Sequence, residues 1–110
     1  MSAAIAGFTG FADEAFEFYE GLLADNSKTY WLAHKQVYES QVRAPMQALF
    51  DALAPRFDGT PVLFRPYRDV RFSADKSPYK TGQGGFLEVE PGIGYWMQLD
   101  AEGIRVGGGF

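Results

Sequence analysis

Cysteine is absent from this chain of 110 residues. That excludes disulfides, thiolate metal sites and cysteine nucleophiles. Histidine occurs once, at His34, so no multi-histidine metal centre can be assembled within the chain. No run approaches the roughly 18 apolar residues that a membrane helix needs. The start, Met1 to Phe8, has neither a basic segment nor a continuous apolar stretch and is unlike a secretory signal. Positive charge is also in short supply. Ten Lys and Arg stand against 14 Asp and Glu, giving a net charge of −4 and a pI near 4.8. This balance argues against wholesale binding to nucleic acid or to an anionic membrane. The expectation is a soluble cytoplasmic protein with no membrane partner.

What is present is apolar and aromatic. With 46% hydrophobic and 16% aromatic residues, the chain lies well above the range of disordered proteins. Its length suits one domain, residues 1–110. Thr9 can cap a first helix over Gly10 to Ala24, with Asp13 and Glu14 near its positive end. Phe11, Ala15, Phe18 and Leu22 recur at helical spacing, and Tyr19 and Leu23 widen the stripe. Asp25-Asn26-Ser27 breaks this helix and supplies the next cap. A second helix is expected over Lys28 to Val42, with Trp31, His34 or Lys35, Tyr38 and Val42 on adjoining turns. Pro45 suits the first turn of a third helix, whose apolar face is Met46, Leu49, Phe50, Leu53 and Phe57. Glu17, Glu20, Glu39 and Asp51 are assigned to solvated faces.

From Asp58-Gly59 onward the pattern changes. Val62 to Phe64 reads as a short strand stopped by Pro66. Phe86 to Val89, Gly94 to Leu99 and Gly103 to Val106 read as strands of an antiparallel meander. Pro91-Gly92 and Asp100-Ala101-Glu102-Gly103 supply the turns between them. Tyr95, Met97 and Leu99 share one face, and Trp96 and Gln98 the other. Helices first and strands second define an α+β fold, with three N-terminal helices packed against the antiparallel sheet. Gly107-Gly108-Gly109-Phe110 reads as a glycine hinge after the last strand. An apolar aromatic straight after three flexible residues suggests the N-terminal part of a larger domain, truncated after Phe110.

Between helices and meander, Arg65 to Gly85 has no sustained period and is expected to be a long ordered loop. Loops beyond ~12–15 residues are usually functional or disordered. Tyr67, Phe72, Tyr79 and Phe86 favour order. The loop concentrates positive charge. Arg65, Arg68, Arg71, Lys76 and Lys80 are five of the ten basic residues, against only Asp69 and Asp75, so Pro61 to Thr81 carries +3. The residues before it carry −4 and those after it −3. Two readings stand: an anion site, or an internal salt-bridge network.

Arg68-Asp69-Val70-Arg71 presents planar guanidinium forks that suit phosphate or carboxylate, with Arg65 close by. Lys76 and Lys80 add point charges, and Tyr79 can orient or stack on a ligand. Under this reading Arg65, Arg68, Asp69, Arg71, Lys76, Tyr79 and Lys80 line a site for a small anionic ligand. Any chemistry there would stabilise developing negative charge rather than use a nucleophile. Under the other reading Asp69 and Asp75 pair with the arginines, and Arg71→Ala breaks a partly buried pair. Asp69 and Asp75 could also form a carboxylate pair, but five surrounding cations favour ion-pairing. Lone His34 is read as a helix-surface or packing residue.

Other motifs do not survive their context. Ser73-Ala-Asp-Lys76, Ser77-Pro-Tyr-Lys80 and Lys80-Thr81-Gly82 match the labels of serine β-lactamases. That chemistry needs the serine at a helix start and Lys-Thr-Gly on a distant facing strand, whereas here all lie in ten consecutive residues. Gly82-Gln83-Gly84-Gly85 does not complete a dinucleotide fingerprint, because position 87 is leucine, and no phosphate-loop motif occurs. No metal and no cofactor is implied.

The block Arg68-Asp-Val-Arg-Phe-Ser-Ala-Asp-Lys-Ser-Pro-Tyr-Lys-Thr81 resembles the signature of a family of microbial and fungal proteins known as domain of unknown function 2461. Upstream, that family shows paired asparagines at a helix end, then two aromatics and a lysine. Asn26-Ser27-Lys28-Thr29-Tyr30-Trp31, with Lys35 four residues on, is similar but departs at Ser27, and Tyr30 stands where tryptophan is usual. Gly107 to Phe110 resembles the glycine turn at the family's midpoint. The resemblance covers the whole chain and about the first half of a typical member. It implies a soluble single domain and supplies no reaction.

Overall fold

A computed structural model describes residues 10–109. The element order is α1 (Asp13–Ala24), α2 (Lys28–Val37), a π-helical segment (Tyr38–Arg43), α3 (Ala44–Phe57), then β1 (Thr60–Leu63), β2 (Gly82–Glu90), β3 (Ile93–Asp100) and β4 (Gly103–Gly109). The class is α+β, as expected. The expected cap Thr9 lies outside the described residues. Helix α1 starts after Ala12, which makes no side-chain cap bond, and Asp13 and Glu14 occupy its first turn. Ser27 caps α2 by accepting from the Tyr30 amide at 3.1 Å.

The second and third helices are joined rather than separate. Helical backbone continues from Lys28 to Phe57, and Val37, Arg43 and Ala44 all keep right-handed helical angles. Pro45 sits in the first turn of α3. Its ring would crowd the carbonyl four residues back in a regular α-helix. The wider π turn ahead of it, where the Ala44 amide bonds the Glu39 carbonyl, makes room without a break. Helix α3 ends at Asp58 in the left-handed region (φ 52°), which aspartate tolerates.

The strands form one antiparallel sheet in the order β1-β2-β3-β4. Pro61 lies on β1, an edge strand, where a missing amide donor is tolerated. Burial follows the alternation read from the sequence only in part: Tyr95, on the same face as Leu99, is 46% exposed, and Gly82 to Gly85 are buried in succession. Leu87 and Leu99 face the helices and are buried, joined by Met97 and Leu63 at the margin. The core against them is Ala15, Phe18, Tyr19 and Leu22 of α1, Trp31, Tyr38 and Val42, and Met46 and Phe50 of α3. Leu23, expected to widen the α1 stripe, points outward and is 61% exposed. The Tyr30 hydroxyl donates to the Phe18 carbonyl at 2.7 Å and closes the α1–α2 hairpin.

Two glycine stretches expected outside strands are strands. Gly82 to Gly85 opens β2, and Gly107 to Gly109 completes β4 opposite Trp96, Tyr95 and Gly94. The reason is close approach. A Cβ on Gly85 would strike the Phe50 ring, and one on Gly107 would strike the Trp96 indole. The glycines let large rings lie flat on the sheet, so their flexibility signal misleads. Phe110 lies outside the described residues. Among the described residues, no helix is long and apolar enough to cross a membrane.

Candidate functional site: the pinned basic loop and its groove

The segment between β1 and β2 contains no long helix or strand, yet both its ends are held. At the start, Phe64 donates its amide to Gly84 at 3.0 Å. The buried Gln83 amide donates to the Phe64 carbonyl at 2.8 Å, and its oxygen accepts from the Tyr38 hydroxyl at 2.5 Å. At the far end the Asn26 side chain grips the backbone of Tyr79. It donates to the Tyr79 carbonyl at 2.9 Å and accepts from the Tyr79 amide at 3.1 Å. The two limbs meet in a short antiparallel bridge between Tyr67 and Tyr79. There Arg68 donates its amide to Pro78 and Lys80 donates its own to Pro66. Tyr79 is buried, its ring stacked on Trp31 with centroids 4.7 Å apart and planes 12° apart. His34 stacks on Tyr30, and its Nδ1 lies 2.9 Å from the Tyr30 carbonyl, a packing role.

The five cations split by task. Arg68 turns inward: its Nη1 donates to the Ser77 carbonyl at 2.8 Å and to the Asp75 carbonyl at 3.4 Å, and lies 3.4 Å from the Asp75 carboxylate. Arg71 pairs with Asp69, through Nε at 3.1 Å and Nη2 at 3.0 Å. Lys76 folds back onto the Val70 carbonyl at 2.6 Å. Lys80 lies over the Phe64 ring, 5.8 Å from its centroid. Neither Lys80 nor Arg65 makes a salt bridge among the described residues, although Arg65 lies near enough to Asp69 to help Arg71 lower its pKa. Both loop aspartates are therefore ion-paired.

The Asp69–Arg71 pair is at the loop tip, with side chains 58% and 76% exposed. It is not the partly buried pair that the scaffold reading required. Exposed pairs contribute little, so Arg71→Ala should leave the urea midpoint almost unchanged. Asp75 behaves differently. The Ser77 amide (2.9 Å) and hydroxyl (2.7 Å) donate to its Oδ1 and hold its carboxyl below the usual aspartate range, with smaller help from Arg68. A depressed folded-state pKa means a contribution present above the unfolded value and lost as pH falls through the folded one. Stability should therefore decline below about pH 4. Asp75→Asn should flatten part of that acid limb in unfolding curves taken from pH 6 downward.

These contacts shape a groove of about 560 Å³ between the end of α1, the loop and the start of β2. Arg68, Lys80, Asn26, Asp75, Ser77 and Gln98 line it with polar groups, the Asp75 carboxylate lying against Arg68, and Leu23 and Phe64 with apolar ones. Of the residues expected in a site, Arg68, Tyr79 and Lys80 come together here. Asp69, Arg71 and Lys76 lie away from it, and Arg65 borders a separate pocket beside Tyr67. Tyr79, expected to stack on a ligand, stacks on Trp31. Sequence reasoning missed Asn26, Gln83 and Gln98. Asn26 had a signal in the asparagine position of the family pattern, and Gln83 had one as a lone amide among glycines.

The fold and site define an α+β domain in which a helical layer and an antiparallel meander display a pinned basic loop. The chain belongs to the family described as conserved hypothetical protein (DUF2461), whose model matches residues 14–110. No curated protein and no solved structure is significantly similar to it.

Proposed function

We propose that the protein binds a small ligand bearing a carboxylate or phosphate group, in the groove beside the basic loop. The observation that carries this reading is the Lys80 ammonium. It has no acidic partner among the described residues and stands with Arg68 on an open, largely polar groove. Only Nη1 of Arg68 is engaged among the described residues, leaving Nε and Nη2 to receive an anion.

A second reading, a structural module, draws support from the internal contacts of Arg68, Arg71 and Lys76. One screen separates the two. Thermal unfolding is followed against phosphate, sulfate, nucleotides, sugar phosphates and dicarboxylates. A ligand at ten times its Kd adds about 1.4 kcal/mol, a rise in Tm of several degrees for a domain of this size. Binding predicts such a rise, lost in Lys80→Ala and kept in Arg71→Ala. No rise with any of these ligands would leave the basic loop as scaffold.

A further inference from the structure

A second pocket lies on the other side of the loop, of about 210 Å³, sharing only Phe64 with the groove. Its floor is Trp31 and Tyr38, and its walls carry Lys35, Glu39 and Arg43 from the long helix and Arg65 and Tyr67 from the loop. Three cations thus surround one carboxylate. None of the four makes an ion pair or a side-chain hydrogen bond among the described residues. In a chain where acids outnumber bases 14 to 10, three cations without a salt bridge among the described residues, only Arg65 of them feeling the loop-tip Asp69, converge on one concavity and call for a counter-charge.

The π segment produces the convergence. Along an α-helix, residues four apart drift by about 40° around the axis, so Lys35 and Glu39 are slightly offset. Through the widened turn, four residues fall short of a full revolution, and the second step to Arg43 returns toward the Lys35 line. Arg43 therefore stands above Lys35 on the side facing Arg65. Its charge is felt at the pocket floor, where it counters the effect of burial on the Tyr38 hydroxyl. π turns of this kind recur at functional sites.

We propose that Lys35, Arg43 and Arg65 form a second anion site, built for the phosphate of a small phosphomonoester. Three cations against one carboxylate leave a charge of +2, which matches a phosphate dianion better than a single carboxylate. Arg43 and Arg65 supply planar forks, Lys35 a point charge, and the half-exposed Tyr67 ring a wall for the ester carbons. The volume admits a phosphate with a few carbons and excludes a nucleotide lying wholly inside.

The test uses the full chain, with inorganic phosphate and glycerol phosphate as probes. Amide shifts in ¹⁵N-correlated NMR spectra, collected during titration, should cluster at Lys35, Glu39, Arg43, Arg65 and Tyr67. Arg43→Ala and Arg65→Ala should each weaken binding about tenfold, the loss of one charge-assisted contact. Glu39→Gln should tighten it severalfold by removing the one carboxylate that lines the pocket among the described residues. Lys80→Ala should leave it unchanged, which separates this pocket from the groove. Shifts confined to Lys80, Gly82 and Gly84, or no shifts at tens of millimolar phosphate, would overturn the proposal. So would an affinity within twofold of the parent in Arg43→Ala, whose exposed side chain leaves folding intact.

Discussion

Asn26→Ala should lower the unfolding free energy by about 2–3 kcal/mol and release the far end of the basic loop. The side chain makes two hydrogen bonds to one residue, accepting from the Tyr79 amide and donating to its carbonyl. Deleting it leaves both backbone groups without those partners at a partly buried position, and each such group costs roughly 1–3 kcal/mol. For a domain whose total stability is about 5–15 kcal/mol, this is a large fraction. Asn26→Asp sharpens the test, because a carboxylate can still accept from the amide but repels the carbonyl. Urea unfolding would give the energies, and hydrogen exchange at the Tyr79 amide would show the local release. A loss below about 0.5 kcal/mol with unchanged exchange would mean that the Tyr79 ring on Trp31 holds the loop without the amide.

Gln83→Leu is expected to have an effect of similar size through the other end of the loop. Gln83 is 1% exposed and fully used: it accepts from Tyr38 and donates to the Phe64 and Gly84 carbonyls. Leucine fits the volume but leaves the Tyr38 hydroxyl and the Phe64 carbonyl facing apolar atoms. A loss of about 3 kcal/mol follows if both remain unpaired. The double variant Tyr38→Phe, Gln83→Leu should recover part of it, since one of the orphaned groups is then absent. Chemical denaturation of the three variants in a double-mutant cycle would measure the coupling. Strict additivity would show that the 2.5 Å contact carries no energy of its own.

Asn26 and Gln83 act on opposite limbs of one loop, and both place a neutral amide where charge was expected to matter. The cations are partly fasteners as well: Arg68 and Lys76 terminate on carbonyls of their own loop. The loop does not consume every cation. Lys80 and the outer donors of Arg68 face the groove, and Arg65 faces the π segment.

The α+β class was legible because it rests on periodicity. Phe18 and Leu22, and Met46 and Phe50, recur at helical spacing, and Met97 and Leu99 at the strand spacing of two, so each pair shares one face. The ion pairing of Asp69 and Asp75 was legible for a similar reason, since partners two to seven residues apart meet within one loop. The strand identity of Gly82 to Gly85 was not, because glycine signals freedom locally and is demanded here by the Phe50 ring packed against it from a distant helix. Nor was the union of α2 and α3. Pro45 announces a helix start in any local reading, and only the widened turn before it keeps the backbone continuous. Periodicity and composition specify the helical layer, the strands that follow it and the concentration of positive charge between Arg65 and Lys80. Which cations are spent on the loop and which are not depends on contacts that form only in the folded chain. Asn26 and Tyr79 stand 53 residues apart, and hydrogen bonds over such a separation exist only once the core has brought α1 and the loop together.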